Sequence, residues 1–235
     1  MIPARKRIFI LIFVVILLVC LLRILFQNSP MPILNNQPDY FRTEGAPVLL
    51  SVFYEALCPD SKYFLTKQVL PTFMAASSIL KVHLFPYGKA KTSEKIEGKL
   101  TFDCQHGPTE CQANIYHACV VNIIENPLVQ LQLVTCMIQD NRFPQDAMLK
   151  CAKLHNITNT DLIEKCAGST HGLELLKFNG EATFAIRPPV TFIPTVTIDG
   201  SQGRQASILK NLLSEVCKAA GDTENIINVC KYPNQ

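Results

Sequence analysis

Beyond residue 27, the sequence contains neither a cluster of basic residues nor an internal repeat. The 235-residue chain has a formal net charge of +3, but residues 1–27 hold four basic side chains and no acidic ones, which leaves −1 for the remainder. A near-neutral domain without a basic patch gives no reason to expect nucleic-acid binding. Hydrophobic residues make up 48% of the chain, which is enough for the core of one large domain or two small ones.

The only long hydrophobic run lies at the N-terminus. Arg5-Lys-Arg7 precedes uninterrupted apolar residues at 8–22, and after Arg23 the run continues to Phe26. A basic stretch followed by about fifteen apolar residues is typical of a signal peptide. No small-x-small cleavage site follows, and a run at residues 8–26 is near the lower limit for a membrane span. Two interpretations stay open, a cleaved signal or an uncleaved type II anchor, and both direct the remaining chain into the secretory pathway.

Composition predicts four parts of the chain. Residues 1–27 form the signal peptide or anchor, and residues 28–46, with Pro30, Pro32 and Pro38 among Asn and Gln, form an extended linker. Residues 47–230 form the folded domain, and residues 231–235 are a short tail.

Apolar periodicity predicts that the domain begins with a β-α-β unit. A β-prone run at 48–54 and an alternating run at 79–87 predict two strands. Between them, residues 59–77 carry apolar side chains at helical spacing, and Pro71 should kink or end that helix. A strand–helix–strand connection of this length is parallel and right-handed.

The rest of the domain is mostly helical by pattern. Residues 89–99 are polar and predict a loop, whereas about 102–167 predict a helical insertion that disulfides staple. A helix at 170–179 should end at Asn179-Gly180. A strand at 190–200 with a hairpin signal at Asp199-Gly200 precedes a final helix at 208–216.

This order of elements is that of an α/β, thioredoxin-like fold with an inserted helical segment. Pro194, inside an apolar strand, supports that interpretation, because proline is unwelcome in a strand except at an edge or a turn. In thioredoxin-like folds a cis-proline begins this strand and faces the catalytic cysteine. The alternative is a trans proline on an edge strand.

Ten cysteines are present, of which nine lie beyond the hydrophobic run. In an oxidising compartment that density implies disulfides, and an odd count leaves one thiol unpaired or bridged to another chain. Cys58 is the predicted free thiol, although a structural half-cystine stays open, and the other eight can form four bridges whose pairing is not determined. They are Cys104, Cys111, Cys119, Cys136, Cys151, Cys166, Cys217 and Cys230. The sequon at Asn156 fits a glycosylated loop.

The predicted redox site is Cys58-Pro-Asp-Ser61. Pro59 suits the first turn of a helix, so Cys58 should cap that helix at the end of a buried strand. Free backbone N–H groups there favour a thiolate, whereas the carboxylate of Asp60 opposes it. A Cys-x-x-Cys at such a junction would be a redox motif, but Ser61 replaces the second cysteine.

A longer motif is more specific. Cys104-Gln-His-Gly-Pro-Thr-Glu-Cys-Gln-Ala-Asn-Ile-Tyr-His-Ala-Cys119 matches Cys-Gln-His-Gly-x-x-Glu-Cys-x-x-Asn-x-x-x-x-Cys at every fixed position. The chain therefore resembles the gamma-interferon-inducible lysosomal thiol reductase family over residues 47–230. The resemblance implies a thioredoxin-like fold, a lysosomal, endosomal or secreted location, and reduction of protein disulfides. His106, Glu110 and Asn114 are expected to be structural. A zinc site of Cys104, Cys111, Cys119 and His106 is the weaker alternative to disulfides, so no metal is expected.

Without a second cysteine, the expected chemistry is incomplete. Cys58 can attack a substrate disulfide, but the hydroxyl of Ser61 cannot resolve the mixed disulfide that forms. A small external thiol such as glutathione or cysteine would have to do so, and no other cofactor is expected. The alternative function is a non-catalytic, client-binding or immune-related protein that has lost reductase activity. An unpaired cysteine also leaves room for an intermolecular disulfide.

Overall fold

The structure is a computed structural model that describes residues 6, 13–19, 21, 46–95, 98–222 and 224–231. The chain divides into two compact units, Met1–Phe41 and Arg42–Gln235. In the first unit residues 13–19 are helical, and no helix of the described residues is long and apolar enough to cross a membrane. Most of the hydrophobic run at 8–26 and nearly all of the predicted linker and tail lie outside the described residues.

A three-stranded sheet forms the centre of the second unit. Strands β1 (Val48–Tyr54), β2 (Leu80–Pro86) and β5 (Thr195–Ile198) lie in the order β2-β1-β5. β1 pairs with β2 in parallel and with β5 in antiparallel orientation. One face of β1 is fully buried, because every second side chain points to that face and all four are apolar or aromatic: Val48, Leu50, Val52 and Tyr54. The predicted β-α-β unit and the α/β class are confirmed.

The helix after β1 contains a wider turn in its middle. It consists of α1 (Pro59–Phe64), a π-helical turn (Leu65–Val69) and α2 (Leu70–Ala76). Pro71 lies two residues after the end of the wide turn. Since proline has no N–H to donate to the preceding turn and its ring crowds the carbonyl there, local widening is a physical consequence of this residue.

A second, two-stranded sheet replaces part of a predicted loop. Strands β3 (Lys91–Glu94) and β4 (Leu100–Asp103) pair in antiparallel orientation. The loop prediction for 89–99 was wrong at Lys91–Glu94, because both faces of β3 are polar and no apolar alternation marks the strand. The helical insertion begins at Pro108 instead of near residue 102, because Leu100–Asp103 pair with β3 as a strand.

Five helices follow: α3 (Pro108–Ile123), α4 (Pro127–Met137), α5 (Pro144–Leu154), α6 (Thr160–Ala167) and α7 (Thr170–Ala185). Disulfide Cys119–Cys166 ties α3 to α6, and Cys136–Cys151 ties α4 to α5. The predicted end of α7 at Asn179-Gly180 was wrong. Gly180 lies inside the helix, where a Cβ would fall 2.6 Å from the ring of Tyr87, so the glycine permits close packing.

The C-terminal region differs from the predicted hairpin and single helix. After β5 the structure has only an isolated bridge between Ile198 and Ser201. Helices α8 (Gln205–Lys210), α9 (Leu212–Ala220) and α10 (Glu224–Lys231) follow. Asn211 separates the first two, and its side chain caps α9 by accepting a hydrogen bond from the N–H of Ser214. Disulfide Cys217–Cys230 ties α10 to α9.

Candidate redox site

Cys58 is the N-cap residue of α1 and follows the end of β1 by four residues. Its side chain is 9% exposed, and it is the unpaired cysteine of the described part of the chain. Its Sγ lies 3.9 Å from the carbonyl oxygen of Ile193, and the Ile193–Pro194 peptide bond is cis. The fold therefore places the thiol beside the residue pair that opens β5, although 135 residues separate the two in sequence.

Ser61 faces inward instead of toward solvent. The residue is fully buried, and its Oγ accepts a hydrogen bond from the backbone N–H of Glu55 at 3.3 Å. A second hydrogen bond stabilises the same turn, because the N–H of Cys58 donates to the carbonyl of Glu55 at 3.3 Å. Ser61 thus holds the turn that leads into the thiol.

The backbone of Ala56, in the middle of that turn, is held on both sides. Its N–H donates to Oδ1 of Asn114 at 2.9 Å, and its carbonyl accepts from Nδ2 of Asn141 at 3.1 Å. Both asparagines are buried. Buried backbone groups need such partners, because an unpaired group loses its hydrogen bonds to water without replacement. The turn before Cys58 is therefore fixed by the helical insertion.

His117 connects Asn141 to the central strand. Nδ2 of Asn141 donates to Nε2 of His117 at 2.9 Å, so Nε2 carries no proton and Nδ1–H donates to the hydroxyl of Tyr54 at 3.0 Å. Complete burial lowers the pKa of His117 to about 3, and the ring is neutral at ordinary pH. The sequence does not single out His117 or Asn141. No local signal marks Asn141, whose partners lie 24 and 85 residues away.

Glu55 is a second buried polar group of the turn. It is 1% exposed, and its Oε1 accepts a hydrogen bond from the backbone N–H of Lys89 at 2.8 Å. Burial raises the pKa of this carboxyl group. Gly88 makes room for it, since a Cβ at that position would fall 2.1 Å from Cγ of Glu55. His106 and Glu110 of the signature lie against the same side chain.

The eight remaining cysteines beyond the hydrophobic run form four intrachain disulfides. Two pairs use signature cysteines, Cys104–Cys111 and Cys119–Cys166. Their thiolates are consumed in these bonds, so the alternative zinc site built from three cysteines and His106 has no structural basis. Asn156 of the sequon is exposed in the turn after α5.

Comparison with known proteins agrees with this geometry. Residues 49–155 match the family model "Gamma interferon inducible lysosomal thiol reductase (GILT)". "GILT-like protein 1" of Drosophila melanogaster is 30% identical over 192 residues, which cover 74% of this chain and 75% of that protein. The "Gamma-interferon-inducible lysosomal thiol reductase" of Carassius auratus is 31% identical, covering 74% and 70%, and that of Mus musculus is 30% identical, covering 76% and 70%. The chain belongs to the gamma-interferon-inducible lysosomal thiol reductase family.

Proposed function

We propose that this protein is a thiol–disulfide oxidoreductase that acts on disulfide-containing proteins through the single thiol of Cys58. The observation that carries the proposal is the position of Sγ, at the N-terminal end of α1 and 3.9 Å from the carbonyl of Ile193 beside the cis peptide bond. The names of the relatives, which are thiol reductases, support the same chemistry.

The reaction proceeds by thiol–disulfide exchange. The Cys58 thiolate attacks one sulfur of the substrate disulfide, a new S–S bond forms, and the second substrate sulfur leaves as a thiolate that takes up a proton. Ser61 is fully buried and its hydroxyl is no sulfur nucleophile, so the mixed disulfide waits for an external thiol. A glutathione or cysteine thiolate attacks it and releases either Cys58 or the substrate, and a second small thiol completes the reduction to the oxidised small-molecule disulfide.

We place this activity in the secretory pathway, with the lysosomal or endosomal lumen, or the extracellular space, as its end point. Four disulfides and an exposed sequon at Asn156 suit an oxidising, glycosylating compartment. The relatives from Carassius auratus and Mus musculus carry the word lysosomal in their names. Residues 8–26 supply the signal or the anchor that directs the chain there.

Reduction of insulin in the presence of glutathione tests the proposal. The wild-type protein should accelerate the reaction, and Cys58→Ala should reduce the rate to that of glutathione alone. A double variant, Cys217→Ala with Cys230→Ala, serves as the matched control, because it removes two cysteines and leaves Cys58 in place. Equal rates for the wild type and Cys58→Ala would overturn the proposal.

A second candidate is client binding without turnover. It is favoured by three exposed aromatic side chains: Tyr63 on α1, which begins at the thiol, Phe192 beside the contact residue Ile193, and Phe143, two residues after Asn141, which holds the turn before Cys58. Cys58 itself is only 9% exposed. This function predicts that an unfolded client binds Cys58→Ser as tightly as it binds the wild type. Loss of binding together with the thiol would reject it.

A further inference from the structure

Three side chains converge beside the turn that precedes Cys58. The Nδ1 atom of His106 lies 2.5 Å from Oε2 of Glu110 and 3.5 Å from Oε2 of Glu55. One ligand atom from each residue lies within 4.8 Å of the others. Both carboxylates are buried, whereas the His106 side chain is 40% exposed. The three residues, called the Glu55 cluster below, form a site with buried acidic walls and one open side.

Each carboxylate uses one oxygen for support and turns the other toward the centre. Oε1 of Glu55 accepts from the N–H of Lys89, and Oε1 of Glu110 accepts from the N–H of His106 at 3.1 Å. Oε2 of Glu55 accepts no hydrogen bond among the described residues, although the side chain is 1% exposed. A buried carboxylate oxygen without a partner is unfavourable, and this one points at the centre of the cluster.

The backbone around the cluster is constrained before any ligand arrives. Gly88 has a φ of +64° and leaves the space that the Glu55 side chain fills. Gly107 has a φ of +86° and lies between His106 and α3, which carries Glu110. The disulfide Cys104–Cys111 closes the loop that contains His106 and Glu110. Such support holds ligand side chains in one orientation, as metal sites require.

The donor set indicates the class of ligand. One imidazole nitrogen and two carboxylate oxygens carry a charge of −2 when the ring is neutral, which a divalent cation balances. Magnesium and calcium prefer all-oxygen sites, whereas an imidazole favours zinc and related transition metals. Three protein ligands with one open position are also an arrangement that zinc adopts.

We propose that Glu55, His106 and Glu110 bind one divalent transition-metal ion, of which zinc fits best, with water at the position open to solvent. Binding would draw the three donor atoms to about 2.0–2.2 Å from the ion. Glu55 lies three residues before Cys58. An occupied site would therefore also link the turn that precedes Cys58 to the loop between Cys104 and Cys111. The proposal does not depend on turnover at Cys58.

Direct metal binding tests it. The purified, disulfide-intact protein is stripped with a chelator and titrated with Zn²⁺ by calorimetry, and bound metal is counted after dialysis. We expect one ion per chain and at least a tenfold weaker affinity in His106→Ala and in Glu110→Gln. His171→Ala is the matched control, because His171 also lies near a glutamate, Glu174, but on the exposed surface. Its affinity should equal that of the wild type.

Three further measurements keep the result unambiguous. Cys58→Ala should bind zinc with unchanged stoichiometry, which separates the cluster from the thiol, and circular dichroism should show that His106→Ala is folded. A tenfold excess of Mg²⁺ should not displace the ion. Absence of saturable binding, equal affinity in His106→Ala, loss of binding in Cys58→Ala, or displacement by Mg²⁺ would each overturn the proposal.

Discussion

Oδ1 of Asn114 accepts a hydrogen bond of 2.9 Å from the backbone N–H of Ala56, 58 residues earlier in the chain. This contact links the family signature on α3 to the turn that carries Cys58. Asn114 is fully buried, and His117, one turn further along the same helix, is in contact with Tyr54 at the end of β1. Asn114 of the signature thus supports the turn that carries Cys58.

Loss of that contact should destabilise the fold measurably. Asn114→Ala removes the acceptor of the hydrogen bond that the N–H of Ala56 donates inside the protein. We therefore expect a loss of about 1–3 kcal/mol in the free energy of unfolding. Urea denaturation measures it. Asn122→Ala, on the exposed side of the same helix, is the control and should change stability by less than about 0.5 kcal/mol. Equal effects of the two substitutions would show that the Ala56 contact contributes nothing.

Restoring a second cysteine should create dithiol chemistry. Ser61→Cys places a thiol one helical turn after Cys58, where it can attack the mixed disulfide intramolecularly. We expect insulin reduction with dithiothreitol to rise at least severalfold over the wild type. A double variant, Cys58→Ala with Ser61→Cys, controls for a thiol at position 61 alone and should show no gain. If the folded, fully reduced single variant is no faster than the wild type, the geometry of the turn does not support resolution.

The buried histidine should make stability depend on pH. The folded-state pKa of His117 is about 3, against 6.5 for the unfolded chain, so the unfolded state binds more protons between these values. The stability that the neutral, buried His117 gives the folded state is therefore fully present above pH 6.5 and is lost as the pH falls toward 3. The expected loss is about 1.4 kcal/mol per pH unit in that window.

Comparing the wild type with His117→Gln isolates this effect. The variant lacks the titrating ring. Between pH 7 and pH 4.5 the free energy of unfolding of the wild type should therefore fall by about 2–3 kcal/mol more than that of the variant. Its stability at pH 7 should be lower, because the hydrogen bonds to Tyr54 and Asn141 are altered. Parallel pH profiles in urea titrations would contradict a neutral, buried His117.

Two glycines should respond oppositely to alanine. At Gly180 the new Cβ would meet the Tyr87 ring at 2.6 Å, so Gly180→Ala should destabilise the protein by about 1–3 kcal/mol despite its better helix propensity. At Gly168 the nearest atom outside its neighbours is 3.4 Å away, and its φ of −86° suits any residue. Gly168→Ala should be neutral or stabilise by up to about 1 kcal/mol. Thermal unfolding of the two variants gives the comparison.

The amino-acid sequence determined the features that depend on local pattern and on counting. The β-prone run of β1 and the alternation in β2 located the parallel unit, since apolar side chains at strand spacing must face a core. The odd number of cysteines beyond the hydrophobic run singled out Cys58, and the spacing within Cys104–Cys119 identified the family. Where pattern was absent, as in the polar strand β3, prediction failed. It also failed at Gly180, because a glycine that serves packing looks the same as one that ends a helix.

Only the tertiary structure decided which groups meet. The disulfide pairing, the turn of Ser61 toward the N–H of Glu55 and the approach of Asn141 to Ala56 all join positions that no local pattern relates. The Glu55 cluster is of the same kind, since Glu55 lies about fifty residues from His106 in the sequence. The physical reason is that a buried polar group must find its partner wherever the fold brings one, and distance in space, not along the chain, sets the free energy of that contact.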